Sequence, residues 1–299
     1  MSKMIRRDFL KTLGAAGVVS IGAGAIPFGL GARRALAQTD DRLGKVVVTY
    51  TPAARIHTYV APEDGARVTT HIIETENTLV LVDGQLALPF AQEVLAYAES
   101  LGKPIERILL SHDHPDHWSG AVAFDLPLTT TANIAANLQA GLDAGQYQPV
   151  EGFQAPETTL IEGSETIDGL TFEFSTVQNA EALEQLVIRL PEAKTIILQD
   201  LMYNNTYFFP GFDRPNWISI LDTLRQSMVT DGIETVLVGH GVPTTRGALD
   251  TGIEYLTMME ELFTTADSAE AVVQAIQARY PSYEAAFILT FYESFFAPR

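Results

Sequence analysis

The residues best suited to metal chemistry lie close together near the middle of the chain. His112, His114, Asp116 and His117 fall within six residues, directly after an apolar run at 105–110 that reads as a buried strand. All four side chains therefore belong to one loop at the carboxyl end of a strand. Imidazole and carboxylate ligands without sulfur suit Zn²⁺, with iron or manganese as alternatives. The His-x-His spacing lets two rings converge on one ion while the Asp-His pair faces a second.

Two further polar residues follow predicted strands later in the chain. Asp200 comes just after an apolar run at 195–198, and His240 lies within Gly-His-Gly after a run at 235–238. A lone aspartate at a strand end is more often a turn residue. The position of Asp200 between the histidine loop and His240 favours a functional role.

The pattern of apolar residues indicates how these segments are supported. Strands are predicted at 46–50, 68–74, 79–82, 105–110, 160–161, 170–176, 186–190, 195–198 and 235–238. Helical periodicity appears at 91–101, at about 217–228, and from about 253 to the end of the chain. Strands in both halves with helices between some of them predict two sheets packed face to face and covered by helices.

The first 37 residues have the composition of an export signal. Arg6 and Arg7 precede Asp-Phe-Leu-Lys, a Gly/Ala-rich apolar stretch follows at 12–30, and Ala35-Leu36-Ala37 gives a small-x-small cleavage site. The arginine pair with the trailing Phe-Leu and Lys resembles a twin-arginine signal. We expect recognition by the twin-arginine export machinery, removal of residues 1–37, no stable membrane insertion afterwards and a periplasmic address.

Charge and cysteine content exclude several classes of function. Residues 1–37 carry a net charge of +5, and removing them from a total of −18 leaves −23. Such an acidic surface repels phosphate backbones and anionic lipid, so no nucleic-acid partner is expected. The chain has no cysteine, so neither disulfides nor thiolate metal ligands are available.

The combination of motifs resembles the metallo-β-lactamase superfamily, and the resemblance runs from Val46 to Val242. It implies a four-layer αββα sandwich at 38–248, with 249–299 as additional C-terminal helices packed on the same domain. It also implies that Asp83 holds the histidine loop through hydrogen bonds. By the same resemblance, Asp116, His117 and His240 bind one metal, and Asp200 bridges two.

The resemblance breaks at the third ligand of the other metal, where relatives carry histidine. The six histidines are His57, His71, His112, His114, His117 and His240, and the first two lie on predicted strands far upstream. Glu181-Ala182 stands in the expected place and resembles the alkylsulfatase branch, where such a glutamate coordinates zinc. Glu181 is therefore predicted to join His112 and His114; the alternative is a surface acid beside a one-metal site. With a carboxylate in place of histidine as the third ligand, we expect activity to require a higher pH.

These features predict a hydrolase acting on a small molecule. The leading hypothesis is a pair of Zn²⁺ ions holding a hydroxide that attacks an ester, lactone, lactam or sulfate ester, with Asp116 and His117 as catalytic ligands. One alternative is a single-iron dioxygenase of sulfur compounds, and another is a non-catalytic periplasmic metal- or ligand-binding protein.

Aromatic and amide residues near the motifs could wall the pocket or pack in the core: Trp118, Tyr203, Asn204, Asn205, Phe208, Phe209 and Phe212. The sequence does not indicate an oligomeric state.

Overall fold

The first sheet is built from the strands that lead to the histidine loop. The computed structural model describes residues 43–296. The strands lie side by side in chain order: β1 (Lys45–Tyr50), β2 (Arg55–Val60), β3 (Thr69–Glu74), β4 (Leu79–Val82), β5 (Ile105–Leu109) and β6 (Leu128–Thr129). β1 to β4 pair antiparallel, whereas β4, β5 and β6 are parallel. Helix α1 (Leu88–Ser100) makes the crossover between β4 and β5.

The second sheet carries the later candidate ligands. Its strands are β7 (Gly163–Ile167), β8 (Leu170–Gln178), β9 (Glu184–Leu190), β10 (Thr195–Asn204), β11 (Thr235–Gly241) and β12 (Thr244–Thr245), in reverse order across the sheet. β10 and β11 are parallel and are joined through helix α3 (Arg214–Thr230). The remaining helices are α2 (Ala132–Asp143), α4 (Ala248–Thr265), α5 (Ala269–Arg279) and the short α6 (Tyr292–Phe295).

The two sheets meet through strands β3 and β11, which brings their functional ends together. The Thr69 hydroxyl donates to the carbonyl of Val238 at 2.6 Å, and Val68 forms an isolated bridge with His240. Both strands are buried along almost their whole length, and β4 is entirely apolar and buried. Burying such strands on both faces supplies the main hydrophobic stabilisation of the fold. The loops after β4, β5 and β11 consequently lie at the same edge.

The predicted architecture is confirmed: two sheets with covering helices and additional C-terminal helices. The prediction of a strand at 160–161 is wrong, because β7 begins at Gly163 and Ile161 is 81% exposed. β10 runs past its predicted end and contains Asp200. β2, β6, β12 and α2 were not predicted, and within residues 43–296 no helix is long and apolar enough to cross a bilayer. The boundaries at 37 and 248 stay predictions, and the export signal lies outside the described residues.

Candidate metal centre

The histidine loop leaves β5 at Leu109 and turns back at Pro115. Residues Pro115–His117 form a single 3₁₀ turn, for which proline at the first position is well suited. The rings of His112 and His114 lie 4.8 Å apart between centroids, and those of His112 and His117 lie 4.3 Å apart. Three imidazoles packed this closely and buried need either a shared cation or nearby carboxylates.

One cluster contains His112, His114, Glu181 and Asp200, all buried. The His114 Nδ1 atom is 3.0 Å from Glu181 Oε1, and His112 Nε2 is 3.7 Å from both Glu181 Oε2 and Asp200 Oδ2. One ligand atom from each of the four side chains lies within 4.8 Å of the others. The structure therefore brings Glu181 to the place that the sequence predicted for it.

The second cluster contains Asp116, His117, Asp200 and His240. His117 Nε2 is 3.1 Å from Asp200 Oδ1, and His240 Nε2 is 3.2 Å from Asp200 Oδ2 and 3.4 Å from Asp116 Oδ2. Asp200 belongs to both clusters, so they form one continuous site. All seven predicted ligands are thus brought together.

Asp200 reaches both clusters because β10 is irregular at this point. Its register with β11 shifts between Ile197 and Gln199 and again between Gln199 and Tyr203. Gln199 has a left-handed φ of 41°. Bulges of this kind re-aim a side chain beside a functional site. On β11, Gly239 must lack a side chain, because any Cβ there would collide with the Asp200 carboxylate.

Hydrogen bonds on the far side of three rings orient each imidazole toward the clusters. His117 Nδ1 donates to Asp83 Oδ2 at 2.7 Å, His240 Nδ1 donates to the Ala66 carbonyl at 2.7 Å, and His112 Nδ1 lies 2.9 Å from the Ser111 hydroxyl. In each ring Nε2 then points into the site. Such partners select the tautomer that can ligate a metal.

Asp83 organises the histidine loop as the sequence predicted. Besides His117, it accepts hydrogen bonds from the Ser111 backbone N–H at 2.8 Å and from the Ser111 hydroxyl at 2.7 Å. The Gln199 amide donates to it as well. Asp83 itself has a φ of 68°, a conformation that costs energy in a non-glycine residue and tends to occur at functional sites.

We expect Asp83→Asn to weaken zinc binding about 10- to 100-fold, because the amide removes the anionic acceptor that orients His117. Competition against a chromophoric zinc chelator measures the change. Asp113→Asn is the matched control, since Asp113 is buried in the same loop but accepts from the Tyr147 hydroxyl at 2.7 Å. Unchanged zinc affinity in Asp83→Asn would show that the carboxylate has no such role.

The ionisable groups of the site perturb one another strongly. Burial alone would raise the pKa of Asp200, but His117 and His240 hold it well below its usual range. Burial disfavours the charged form of His114, yet Glu181 raises the pKa of His114 to about 9. Burial raises the pKa of Glu181 to about 7 against the pull of His114. Carboxylates and imidazoles that shift one another this way in a cleft mark a candidate functional site.

Several buried atoms of the clusters make no hydrogen bond within residues 43–296, although they lie near charged neighbours. These atoms are His112 Nε2, His117 Nε2, Glu181 Oε1 and Asp200 Oδ1. Buried polar atoms are normally satisfied, so four exceptions in one place need an explanation. Metal ions bound at the two clusters would use these atoms as ligands: His112 Nε2 and Glu181 Oε1 in one cluster, His117 Nε2 in the other, and Asp200 Oδ1 between them. Nitrogen and oxygen donors without sulfur fit Zn²⁺, and also iron or manganese.

A small pocket opens above both clusters. Of the predicted wall residues, Tyr203 and Phe209 line it. The Tyr203 ring stacks on His240 with centroids 4.5 Å apart, and its hydroxyl donates to Asp200 Oδ2 at 2.9 Å. Trp118 and Phe208 instead lie in the core. The structure adds wall residues that the sequence did not indicate: Ala66, Leu86, Phe287, Ile288 and Phe291.

His57 and His71 are packed on strands, as expected. His57 lies between the Tyr97 hydroxyl and Glu74, at 2.8 and 3.0 Å. His71 is fully buried beside Thr58 and the Val238 carbonyl, and burial lowers its pKa to about 4. Neither belongs to the two clusters.

Comparisons with solved structures identify the same fold. A metallo-β-lactamase from Pontibacter korlensis superposes with a TM-score of 0.58 at 19% identity, over 71% of this chain and 99% of that one. A metallo-β-lactamase from Hirschia baltica gives 0.54 at 17% identity, over 71% and 97%. At such identities the likeness concerns the fold alone.

Sequence comparison adds one distant enzyme. An alkyl/aryl-sulfatase of Saccharomyces cerevisiae is 25% identical over 224 residues, which is 58% of this chain and 34% of the yeast protein. The match thus spans about a third of that relative. The family model described as the metallo-beta-lactamase superfamily matches residues 64–240, more than half of the chain and the whole span from the histidine loop to His240. This chain therefore belongs to the metallo-β-lactamase superfamily.

Proposed function

We propose that the chain is an exported hydrolase that binds two metal ions, by preference zinc, and cleaves an ester, lactone, lactam or sulfate-ester type of small molecule. The observation that carries the proposal is the meeting of two buried ligand clusters at Asp200, beneath a pocket. His112, His114 and Glu181 would hold one ion, and Asp116, His117 and His240 the other, with Asp200 between them. When bound, the ions would supply an activated water and an electrophilic partner for the substrate oxygen.

Residues around the two clusters have further roles in positioning the ligands and the substrate. Tyr203 orients His240 by stacking and Asp200 by its hydroxyl. Asp116 lines the pocket, so its carboxylate can accept a hydrogen bond from the reacting water or from the substrate. His117 is held by Asp83, which leaves its Nε2 free to ligate the second ion as a catalytic ligand. The apolar wall excludes water from one side of the pocket, which strengthens electrostatic interactions inside it.

Metal analysis together with a substrate panel tests the proposal. Protein purified from the periplasm should contain close to two ions per chain and hydrolyse at least one of a carboxylic ester, lactone, lactam, phosphate ester or sulfate ester. Chelation should abolish the hydrolysis, and added zinc should restore it. Iron alone at one equivalent would favour sulfur oxidation instead. Bound metal with no hydrolysis across a broad pH range would favour a metal- or ligand-binding protein.

Export is a separate prediction. Replacing Arg6 and Arg7 together by lysine should block appearance in the periplasm, because the arginine pair is the recognised part of a twin-arginine signal. Cell fractionation measures it, and N-terminal sequencing of the exported protein should begin near Gln38. Lys3→Arg is the control. An intact Met1 on periplasmic protein would contradict cleavage.

A further inference from the structure

The entrance to the metal centre is walled by a segment that lies beyond the family-model match at 64–240. We define the cap segment as residues 286–295, a 3₁₀ helix over Ala286–Phe291 followed by α6. Phe287, Ile288 and Phe291 of this segment line the pocket together with five of the seven candidate ligands. Phe209 continues the wall, with its ring centroid 6.0 Å from that of Phe291 and 5.6 Å from that of His114. The ring of Phe209 thus lies between the cap segment and the candidate ligand His114.

The cap segment is fixed at its base. The Glu63 carboxylate accepts hydrogen bonds from the backbone N–H groups of Ala285 and Ala286, at 2.6 and 3.2 Å. Ala285 holds a left-handed φ of 59° there. Within the segment, the buried Tyr292 donates to the Phe208 carbonyl at 2.8 Å. These contacts set the apolar wall in place before any substrate arrives, which limits the entropy lost on binding.

The remaining space is small. A cavity of about 30 Å³ lies between the clusters and the wall, enough for about two water molecules. A substrate must therefore place its reacting centre in a narrow site, and a longer chain would meet an apolar wall that includes the rings of Phe209, Phe287 and Phe291. An apolar chain gains from that contact, whereas a charged group would lose its hydration there.

The described lining of the pocket also offers no cationic side chain to an anionic substrate. Among the described lining residues there is no lysine or arginine. Arg67 adjoins Ala66 of the wall, but its guanidinium is ion-paired with Glu284 at 2.6 Å and donates to the Ala61 carbonyl at 3.2 Å. The ligand set contributes three carboxylates, so two divalent ions would leave it only one net positive charge. Anions such as sulfate and phosphate are usually held by arginine or lysine.

We propose that the cap segment makes this site selective for an uncharged carboxylic ester or lactone with a short apolar acyl chain, in preference to a sulfate or phosphate monoester. The inference rests on the proposed hydrolase function. In the reaction the oxygen of water bonds to the carbonyl carbon, the bond from that carbon to the leaving oxygen breaks, and a proton passes to the leaving oxygen. An ester gives a carboxylic acid and an alcohol, a lactone gives a single hydroxy acid, and no other reactant is needed.

Binding of two inert ligands to the zinc-loaded protein tests the selectivity. Methyl butyl ketone and butanesulfonate share a butyl chain and cannot be hydrolysed, and they mimic the neutral and the anionic substrate. Calorimetric titration should show the ketone binding roughly tenfold or more tightly than the sulfonate. Phe291→Ala should weaken ketone binding by about tenfold, as expected for the loss of a buried aromatic contact.

Two further variants keep the test independent of folding. Phe287 is only half-buried, so Phe287→Arg should fold, and it should reverse the preference in favour of the sulfonate. Phe296→Ala is the matched control, because Phe296 directly follows the cap segment, packs on Phe263 and does not line the pocket. It should leave the affinity for both ligands unchanged. Circular dichroism and metal analysis confirm that each variant is folded and loaded.

The outcomes separate this inference from the proposed function. A sulfonate that binds the unmodified protein as tightly as the ketone overturns the selectivity, and so does ketone binding that responds to Phe291→Ala no more than to Phe296→Ala. Hydrolysis of alkyl sulfates but not of carboxylic esters would also overturn it, while leaving the hydrolase function intact. Selective ketone binding without hydrolysis of any ester would support the selectivity and count against the hydrolase.

Discussion

Asp200→Asn is expected to lower the metal content from two ions per chain to one or fewer and to reduce hydrolysis by more than about a hundredfold. The carboxylate belongs to both clusters, with Oδ1 at 3.1 Å from His117 Nε2 and Oδ2 at 3.2 Å from His240 Nε2. An amide of the same shape offers one neutral oxygen in place of two anionic ones, so it cannot serve both ions. Elemental analysis and turnover of the best panel substrate measure the two losses.

A matched control separates the loss of a ligand from a general loss of stability. Asp168→Asn makes the same chemical change in the turn between β7 and β8, where the carboxylate accepts from Asn77 and Thr75 and does not face the metal centre. That variant should keep both ions and full activity. Two ions at unchanged affinity in Asp200→Asn would show that Asp200 is not a ligand, and the proposed two-ion arrangement would fall with it.

The histidine loop, Asp83 and His240 could be predicted because their positions depend on the local sequence. The histidine loop is a stretch of consecutive residues after one buried strand, so its spacing alone constrains where the rings can point. Asp83 and His240 each lie at the end of a strand, and the functional ends of such strands meet at one edge of an α/β sandwich. The structure places their side chains within reach of the loop for this reason.

The irregular backbone around Asp200 could not be predicted in the same way. The apolar run ends at Leu198, which suggested the end of a strand, but β10 continues to Asn204 through two register shifts. The continuation is stabilised by pairing with β11, a partner distant in sequence. Apolar periodicity carries no signal of such pairing, and bulges interrupt it.

The contribution of the cap segment to the pocket could not be predicted from the sequence either. Its residues have a helical composition and lie more than forty residues beyond His240, so nothing in their spacing indicates contact with a metal centre. Contact depends on the anchoring of Ala285 to Glu63 across the fold, a pairing of residues 222 positions apart. The one available signal was the density of phenylalanines at 287–296, which is unusual for an outer helical layer.

The site of Glu181 was predicted from the sequence, whereas its burial depends on the folded loop around it. Its replacement is the most direct test of the metal assignment. The residue lies in the short loop between β8 and β9, where Asn179 has a φ of 54° and its N–H donates to the Leu183 carbonyl at 3.0 Å. That tight loop carries the carboxylate inward, where it is fully buried beside His114. Gln185 Nε2 lies 3.3 Å from the other carboxylate oxygen and helps to hold it.

Glu181→Ala should therefore remove the ion of the first cluster and nearly all activity, because it leaves that ion only two histidines and the Asp200 carboxylate that it shares with the other ion. Glu181→His should keep that ion, since imidazole is the ligand that most zinc sites use at such positions. Elemental analysis of both variants, with zinc affinity from chelator competition, measures the difference. Glu184→Ala is the control: Glu184 begins β9 three residues further on and belongs to neither cluster. If Glu181→Ala kept both ions and normal turnover, the buried carboxylate would be a neighbour of the site and not a ligand, and the four-residue cluster would need another member to hold its metal.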